Sequence, residues 1–157
     1  PNGIREKDVA LKVGLKVKDL LKQNGISVVM TRDTDVYLSL EERCRIANAT
    51  DSDFFISIHN NSFSSPSANG TETFSYSSTG MSADVAKLIQ SRMVSALKLT
   101  NRGNKTANFY VIKNTKMASA LAEIAFISNP TEESLLKTDS FQNKAAQAIV
   151  DGIMDYR

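Results

Sequence analysis

One histidine and one glutamate stand where their side chains could carry chemistry. His59 is the only histidine, and it ends the apolar run 54–58 just before a polar loop. A lone histidine is usually structural, but at a strand end beside such a loop it is also a candidate metal ligand or general acid/base. Glu123 interrupts the apolar run 120–127. A carboxylate there is costly unless it is paired, metal-bound or functional. We interpret Glu123 as a candidate general base, the alternative being a glutamate that faces water.

Other reactive side chains are less distinctive. Glu6 stands in the first turn of a predicted helix, where an acidic residue ordinarily complements the helix dipole. Glu72 alternates on a predicted strand and is expected to face solvent. Cys44 is expected to pack in a helix, since no second histidine is present to activate it. Catalytic zinc normally takes three protein ligands, so the residues alone predict only a polar site near His59 and Glu123.

The elements that must position this site alternate between helix and strand. Apolar periodicity predicts helices over 6–24, 39–49, 82–97 and 140–156, a short helix from Pro130, strands over 26–30, 54–59, 71–76, 109–112 and 120–124, and loops over 60–70 and 101–108. Ser39 and Glu42 have the spacing of a capping box. The order predicts one α/β domain over residues 1–157, with three layers, a mostly parallel or mixed central sheet and helices on both faces. Sites in such sheets lie beyond the carboxyl ends of strands.

Composition excludes several function classes. The formal net charge is +2 and the basic residues are scattered. We find neither a phosphate-binding glycine loop nor a basic-aromatic groove, so we expect no nucleotide or nucleic-acid partner. No apolar run approaches the ~20 residues of a membrane span. The single cysteine excludes an internal disulfide and leaves the compartment open.

Several motifs, taken in chain order, resemble the zinc-dependent N-acetylmuramoyl-L-alanine amidase domains of bacterial autolysins, sporulation hydrolases and phage lysins. The resemblance covers essentially the whole chain. Its motifs are Glu6-Lys7-Asp8, Thr31-Arg32-Asp33-Thr34-Asp35, Leu40 with Arg43 and Ala47-Asn48, Phe55 to Asn61, Gly70-Thr71-Glu72, Asn101-Arg102-Gly103, Phe109 to Ile112 and Glu123 to Asn129.

The resemblance implies a peptidoglycan hydrolase that cleaves the amide bond between N-acetylmuramic acid and the L-alanine of the stem peptide. It implies one Zn²⁺ ion with Glu6 and His59 as ligands, and Glu123 as the catalytic carboxylate. Asn61 and Arg102 are tentative substrate-binding residues on two loops that line an open groove. It further implies a bacterial enzyme that is extracellular and associated with the cell wall, monomeric, and compatible with flanking wall-binding modules.

The sequence departs from the family pattern in two places. Family members begin with a strand that ends in a Gly-His-Gly type motif, whose histidine is a further zinc ligand, and nothing before Glu6 matches it. We expect this strand in about 20 residues upstream of Pro1. Met117-Ala118-Ser119 replaces the usual Met-Pro-Ala. Two other functions stay open: a catalytically impaired peptidoglycan-binding module, and a zinc peptidase that cuts within the stem peptide.

Overall fold

The central layer of the computed structural model, which describes residues 3–157, is a four-stranded mixed sheet. Its strands are β1 (Phe54–Asn61), β2 (Thr71–Ser75), β3 (Asn101–Thr106) and β4 (Ala118–Phe126), in the spatial order β1-β4-β2-β3. β4 is parallel to β1 and antiparallel to β2, and β2 is parallel to β3. The predicted mixed sheet of an α/β domain is confirmed.

Helices cover both faces of this sheet, as predicted. They are α1 (Glu6–Gln23), α2 (Leu40–Asn48), α3 (Met81–Leu97), α4 (Tyr110–Asn114), α5 (Pro130–Leu136) and α6 (Asp139–Tyr156). α1, α3 and α6 bury their apolar stripes against one face in the main core. α2 and α4 pack on the other face in a smaller core that contains Cys44, and burial raises the pKa of its thiol. The Ser39 cap of α2 is confirmed, because its hydroxyl accepts the Glu42 N–H at 3.1 Å.

The predicted strand over 26–30 is wrong in the structure. This segment has no strand partner among the described residues, and Val29 is 60% exposed. It lies opposite β1 across a cleft of about 770 Å³ that α1 also lines. A strand is stabilised by its ladder of hydrogen bonds, so residues with strand propensity do not form one without a paired neighbour.

Two further elements differ from the sequence prediction. The apolar run 109–112 lies mostly in the short helix α4, because a run of four residues does not distinguish a strand from a buried helical turn. The predicted loop 101–108 contains β3, an edge strand of polar residues next to β2. None of its residues is fully buried and none is apolar, so the sequence lacks the apolar alternation by which a strand is recognised.

The helix pair α3 and α6 gives a testable packing prediction. A Cβ at Gly152 in α6 would lie 2.6 Å from the Cα of Ile89 in α3, so Gly152→Ala must push the two helices apart. We expect a loss of about 1–3 kcal/mol in the free energy of unfolding, as for other overpacked cores. Thermal and urea denaturation would measure it.

Gly14→Ala in α1 is the matched control. A Cβ there would meet only the flexible end of Met30, at 3.4 Å. Alanine has the higher helix propensity by up to ~1 kcal/mol, so stability should be unchanged or slightly raised. Equal destabilisation by both substitutions would contradict this account of the packing.

Candidate active site

Three ionisable side chains lie in one row across the sheet. In the strand register His59 of β1 pairs with Glu123 of β4, and Glu123 pairs with Glu72 of β2. Residues at the same register position project from the same face of a sheet. Because β1 ends at Asn61, the row lies near the carboxyl end of that strand, where sites of α/β proteins form.

Glu6 reaches the row from the first turn of α1. Its Oε1 lies 2.8 Å from Nδ1 of His59 and also accepts the Asn60 N–H at 3.4 Å. The other imidazole nitrogen lies 2.9 Å from the Ser57 hydroxyl, which fixes the ring from both sides. Burial acts to raise the pKa of Glu6, but the hydrogen bond and charge of His59 outweigh it and lower that pKa below its usual value.

The start of α1 is tied to the polar segment that follows the 26–30 stretch. The Arg32 guanidinium donates to the Lys7 carbonyl at 2.8 Å, and the Lys7 ammonium donates to both Asp35 oxygens at 2.5 and 2.6 Å. These contacts join residues 25 and 28 positions apart in the chain. They hold the helical turn from which Glu6 projects.

Glu123 has the most perturbed environment of the three. Its Oε2 is buried and has no hydrogen-bond partner among residues 3–157. Burial raises its pKa to about 7, and the nearby Glu6 and Glu72 carboxylates add to that rise while His59 opposes it. A carboxyl group with a pKa near neutrality is suited to both accept and return a proton.

Glu72 does not face solvent, so that expectation is corrected. The residue is 4% exposed, and its carboxylate accepts the Asn61 amide at 2.7 Å and the Lys105 ammonium at 2.7 Å. Arg102 lies 3.4 Å away. The sequence carried a signal for this orientation: Phe74 is two residues later on the same strand, and an apolar residue there indicates an inward face.

The two tentative substrate-binding residues lie side by side. Asn61 and Arg102 line a pocket of about 520 Å³ together with Phe63 and Phe126. The Arg102 guanidinium stacks over the Phe126 ring at 4.8 Å and donates to the Asn69 carbonyl at 3.2 Å. The structure therefore brings both predicted residues to one cavity that also contains Glu72.

Glu6 and His59 supply the types of donor that zinc prefers. Two ligands of one tetrahedral zinc lie roughly 3.3 Å apart, close to the 2.8 Å between Glu6 Oε1 and His59 Nδ1. Glu123, the register partner of His59, has a buried Oε2 with no hydrogen-bond partner among residues 3–157. Within residues 3–157, however, no three His, Cys, Asp or Glu side chains are grouped to hold a metal ion. The pair fits zinc and is one ligand short of a usual catalytic set.

Known proteins match this chain over nearly its full length. The family model described as N-acetylmuramoyl-L-alanine amidase matches residues 1–155. The N-acetylmuramoyl-L-alanine amidase LytC of Bacillus subtilis is 42% identical over 99% of this chain and 32% of its own length. The endolysin of Bacillus phage SPP1 is 38% identical over 98% of this chain and 59% of its own length. This chain thus spans less than two thirds of either relative.

A solved structure shows the same fold. The catalytic domain of CwlV, an N-acetylmuramoyl-L-alanine amidase from Bacillus (Paenibacillus) polymyxa, superposes with a TM-score of 0.91 at 40% identity. The match covers 96% of this chain and 84% of that domain.

The raised pKa of Glu123 predicts how stability depends on pH in the zinc-free protein. Between its ordinary value of 4.5 and about 7, the folded state holds a proton that the unfolded chain releases. The free energy of unfolding should therefore fall as pH rises through this window, by at most ~3 kcal/mol in total. Glu123→Gln should lack this component and be the more stable protein at pH 7.

Urea denaturation of both proteins with a chelator, at several pH values from 4.5 to 7.5, would measure the difference. Parallel pH profiles for the wild type and the variant would contradict the raised pKa.

Proposed function

The chain belongs to the N-acetylmuramoyl-L-alanine amidase family, and from this premise we propose that it hydrolyses the amide bond between N-acetylmuramic acid and the L-alanine of the stem peptide. The observation that carries the proposal is the convergence of His59, Glu6 and Glu123 at the end of β1. The first two form a candidate metal-binding pair, and the third is a buried carboxyl group next to them.

Glu123 is the proposed general base. It takes a proton from the attacking water and delivers it to the nitrogen of the leaving L-alanine. Efficient proton transfer in both directions requires a pKa near the working pH, and burial of Glu123 raises its pKa to about 7. Among residues 3–157, Oε2 has no hydrogen-bond partner, so its capacity to accept a hydrogen bond from water is unused.

Glu6 and His59 are the proposed zinc ligands. Bound zinc would polarise the scissile carbonyl group and lower the pKa of water toward ~7. The Ser57 hydroxyl holds the imidazole ring in place, and the Asn60 N–H holds the Glu6 carboxylate. Such supporting hydrogen bonds orient metal ligands and strengthen binding. The proposed site requires at least one further donor.

The pocket lined by Glu72, the register partner of Glu123, is the proposed place for the glycopeptide. Asn61 supplies an amide, Arg102 a guanidinium and Phe63 an aromatic ring that is 62% exposed. This combination of polar groups and an exposed ring suits a substrate that carries both peptide and sugar.

We place the activity in the bacterial cell wall, outside the cell. The supporting finding is the similarity to relatives described as a probable cell wall amidase and an endolysin. Across residues 3–157, no helix combines the length and apolar character needed to cross a membrane.

Removal of the Glu123 carboxylate tests the catalytic assignment. Glu123→Ala should retain the fold and bound zinc but lower peptidoglycan lysis by about 10²–10⁴-fold, as expected when a general base is lost. Turbidity of purified cell walls would measure the rate, with circular dichroism and elemental analysis on the same samples. Undiminished lysis would refute the role of Glu123. The products of the wild type separate the alternatives, because a peptidase would leave L-alanine attached to muramic acid.

Removal of the imidazole tests the metal assignment. We expect about one zinc per wild-type chain and its loss in His59→Ala and in Glu6→Ala. Glu42→Ala, an exposed carboxylate on α2, is the control and should retain zinc. Elemental analysis after dialysis measures the content. A wild-type chain with neither zinc nor lysis, but with retained binding to cell walls, would favour the peptidoglycan-binding module.

A further inference from the structure

Glu72 is a buried charge that the proposed mechanism does not use. It is 4% exposed and follows Glu123 in the register row across the sheet. Its two carboxylate oxygens have different partners: Oε1 accepts from Asn61 at 2.7 Å, and Oε2 accepts from Lys105 at 2.7 Å. The residue therefore links β1, β2 and β3 at one point next to the site.

Stability alone does not explain a buried ion pair at this position. Desolvation of the two charges offsets most of their attraction, and apolar residues of similar volume often stabilise a fold equally well. Lys105 is also half-exposed and can be solvated without Glu72. What Glu72 supplies that an apolar side chain would not is a fixed hydrogen-bond acceptor.

This acceptor determines the orientation of the Asn61 carboxamide. A carboxylate only accepts hydrogen bonds, so the amino side of the amide must face Glu72. The amide oxygen accepts the Ser62 N–H at 3.0 Å, so the oxygen side of the carboxamide is also fixed. One amide N–H has no partner among residues 3–157. Asn61 lines the pocket next to the site and lies two residues after His59.

We propose that Glu72 is a positioning residue for the hydrolysis, which holds the Asn61 carboxamide so that its remaining N–H donates to an amide oxygen of the bound muropeptide. The inference rests on the proposed function, since it names a contact to that substrate. A donor whose rotation is already restricted binds with a smaller loss of conformational entropy than a freely rotating one.

The first test compares two substitutions with opposite hydrogen-bonding capacity. Glu72→Met removes both acceptors, whereas Glu72→Gln keeps one oxygen for Asn61 and loses the negative charge. For a soluble muropeptide we expect Glu72→Met to raise KM about tenfold with little change in kcat. Glu72→Gln should rescue most of that loss. Equal losses in the two variants would show that the charge matters and would overturn the proposal.

A double-mutant cycle tests whether the effect passes through Asn61. Asn61→Ala should raise KM to a similar degree, and adding Glu72→Met to it should cause no further loss. Additive losses would overturn the proposal. Glu133→Met is the matched control, because Glu133 is also a buried glutamate beside a lysine but lies on α5. It should lower the melting temperature and leave KM unchanged.

A second measurement does not depend on activity or on the stability of Glu72→Met. The two side-chain amide protons of Asn61, assigned by their loss in Asn61→Ala, should give separate resonances in the wild type, and the proton donated to Glu72 should exchange with solvent more slowly than the other. That difference should persist in Glu72→Gln and, if it folds, disappear in Glu72→Met. Equal and rapid exchange of both protons in the wild type would overturn the proposal.

Titration with the muropeptide should then shift the same resonances. A wild type that shows a protected Asn61 amide proton and binds muropeptide but releases no stem peptide with a free L-alanine amino group would refute the proposed hydrolysis and leave the positioning role of Glu72 intact. Muropeptide binding without a shift at Asn61 would refute the contact itself.

Discussion

The burial of the Glu123 carboxylate in the middle of the sheet is the constraint on which the site depends. The strand register places His59 on one side of it and Glu72 on the other, so its surroundings are set by backbone pairing and not by loops. An isolated buried carboxylate is costly and responds by an increase in its pKa. The neighbouring groups then have separate tasks: Glu6 pairs with His59, and Lys105 pairs with Glu72. Of the side chains Glu6, His59, Glu72 and Glu123, only Glu123 has a buried carboxylate oxygen without a hydrogen-bond partner among residues 3–157, which leaves this group available for proton transfer.

Much of the fold could be predicted from the sequence, because long elements carry strong periodicity. The apolar stripes of 6–24 and 82–97 and the strand 54–59, which is nearly all apolar until its end, all correspond to observed elements. The predictions for short or polar segments are wrong for physical reasons. The polar strand 101–106 is stabilised by pairing with β2. This pairing leaves no pattern in the residues 101–106 themselves. The segment 26–30 has strand propensity but no strand to pair with among residues 3–157, and pairing is a property of the whole sheet.

The site was predictable in part. His59 and Glu123 violate the apolar pattern of their strands, and such violations are the signal that sequence physics detects. Glu6 gives no such signal, because an acidic residue in a first helical turn is common, and only the family resemblance identified it. The 2.8 Å contact between Glu6 and His59 spans 53 positions of the chain and depends on the packing of α1 beside β1. The alternation of Glu72 on its strand predicts an exposed side chain, but Phe74, the apolar residue two positions later on the same side of the strand, indicates the buried face that the structure shows.

Glu132, a buried carboxylate outside the row, fixes backbone positions at the edge of the pocket. Glu132 accepts the N–H of Gly70 at 2.8 Å and that of Phe126 at 2.7 Å, so it joins the residue before β2 to the last residue of β4. The loop 62–69, which connects β1 to β2, is thus anchored at its β2 end, and its own polar residues are mostly exposed. Loops of this kind accumulate substitutions and insertions far more readily than their anchors do. Natural variation among related proteins can therefore reshape the rim of the pocket while the proton-transferring residue keeps its place, which separates the evolution of selectivity from that of chemistry.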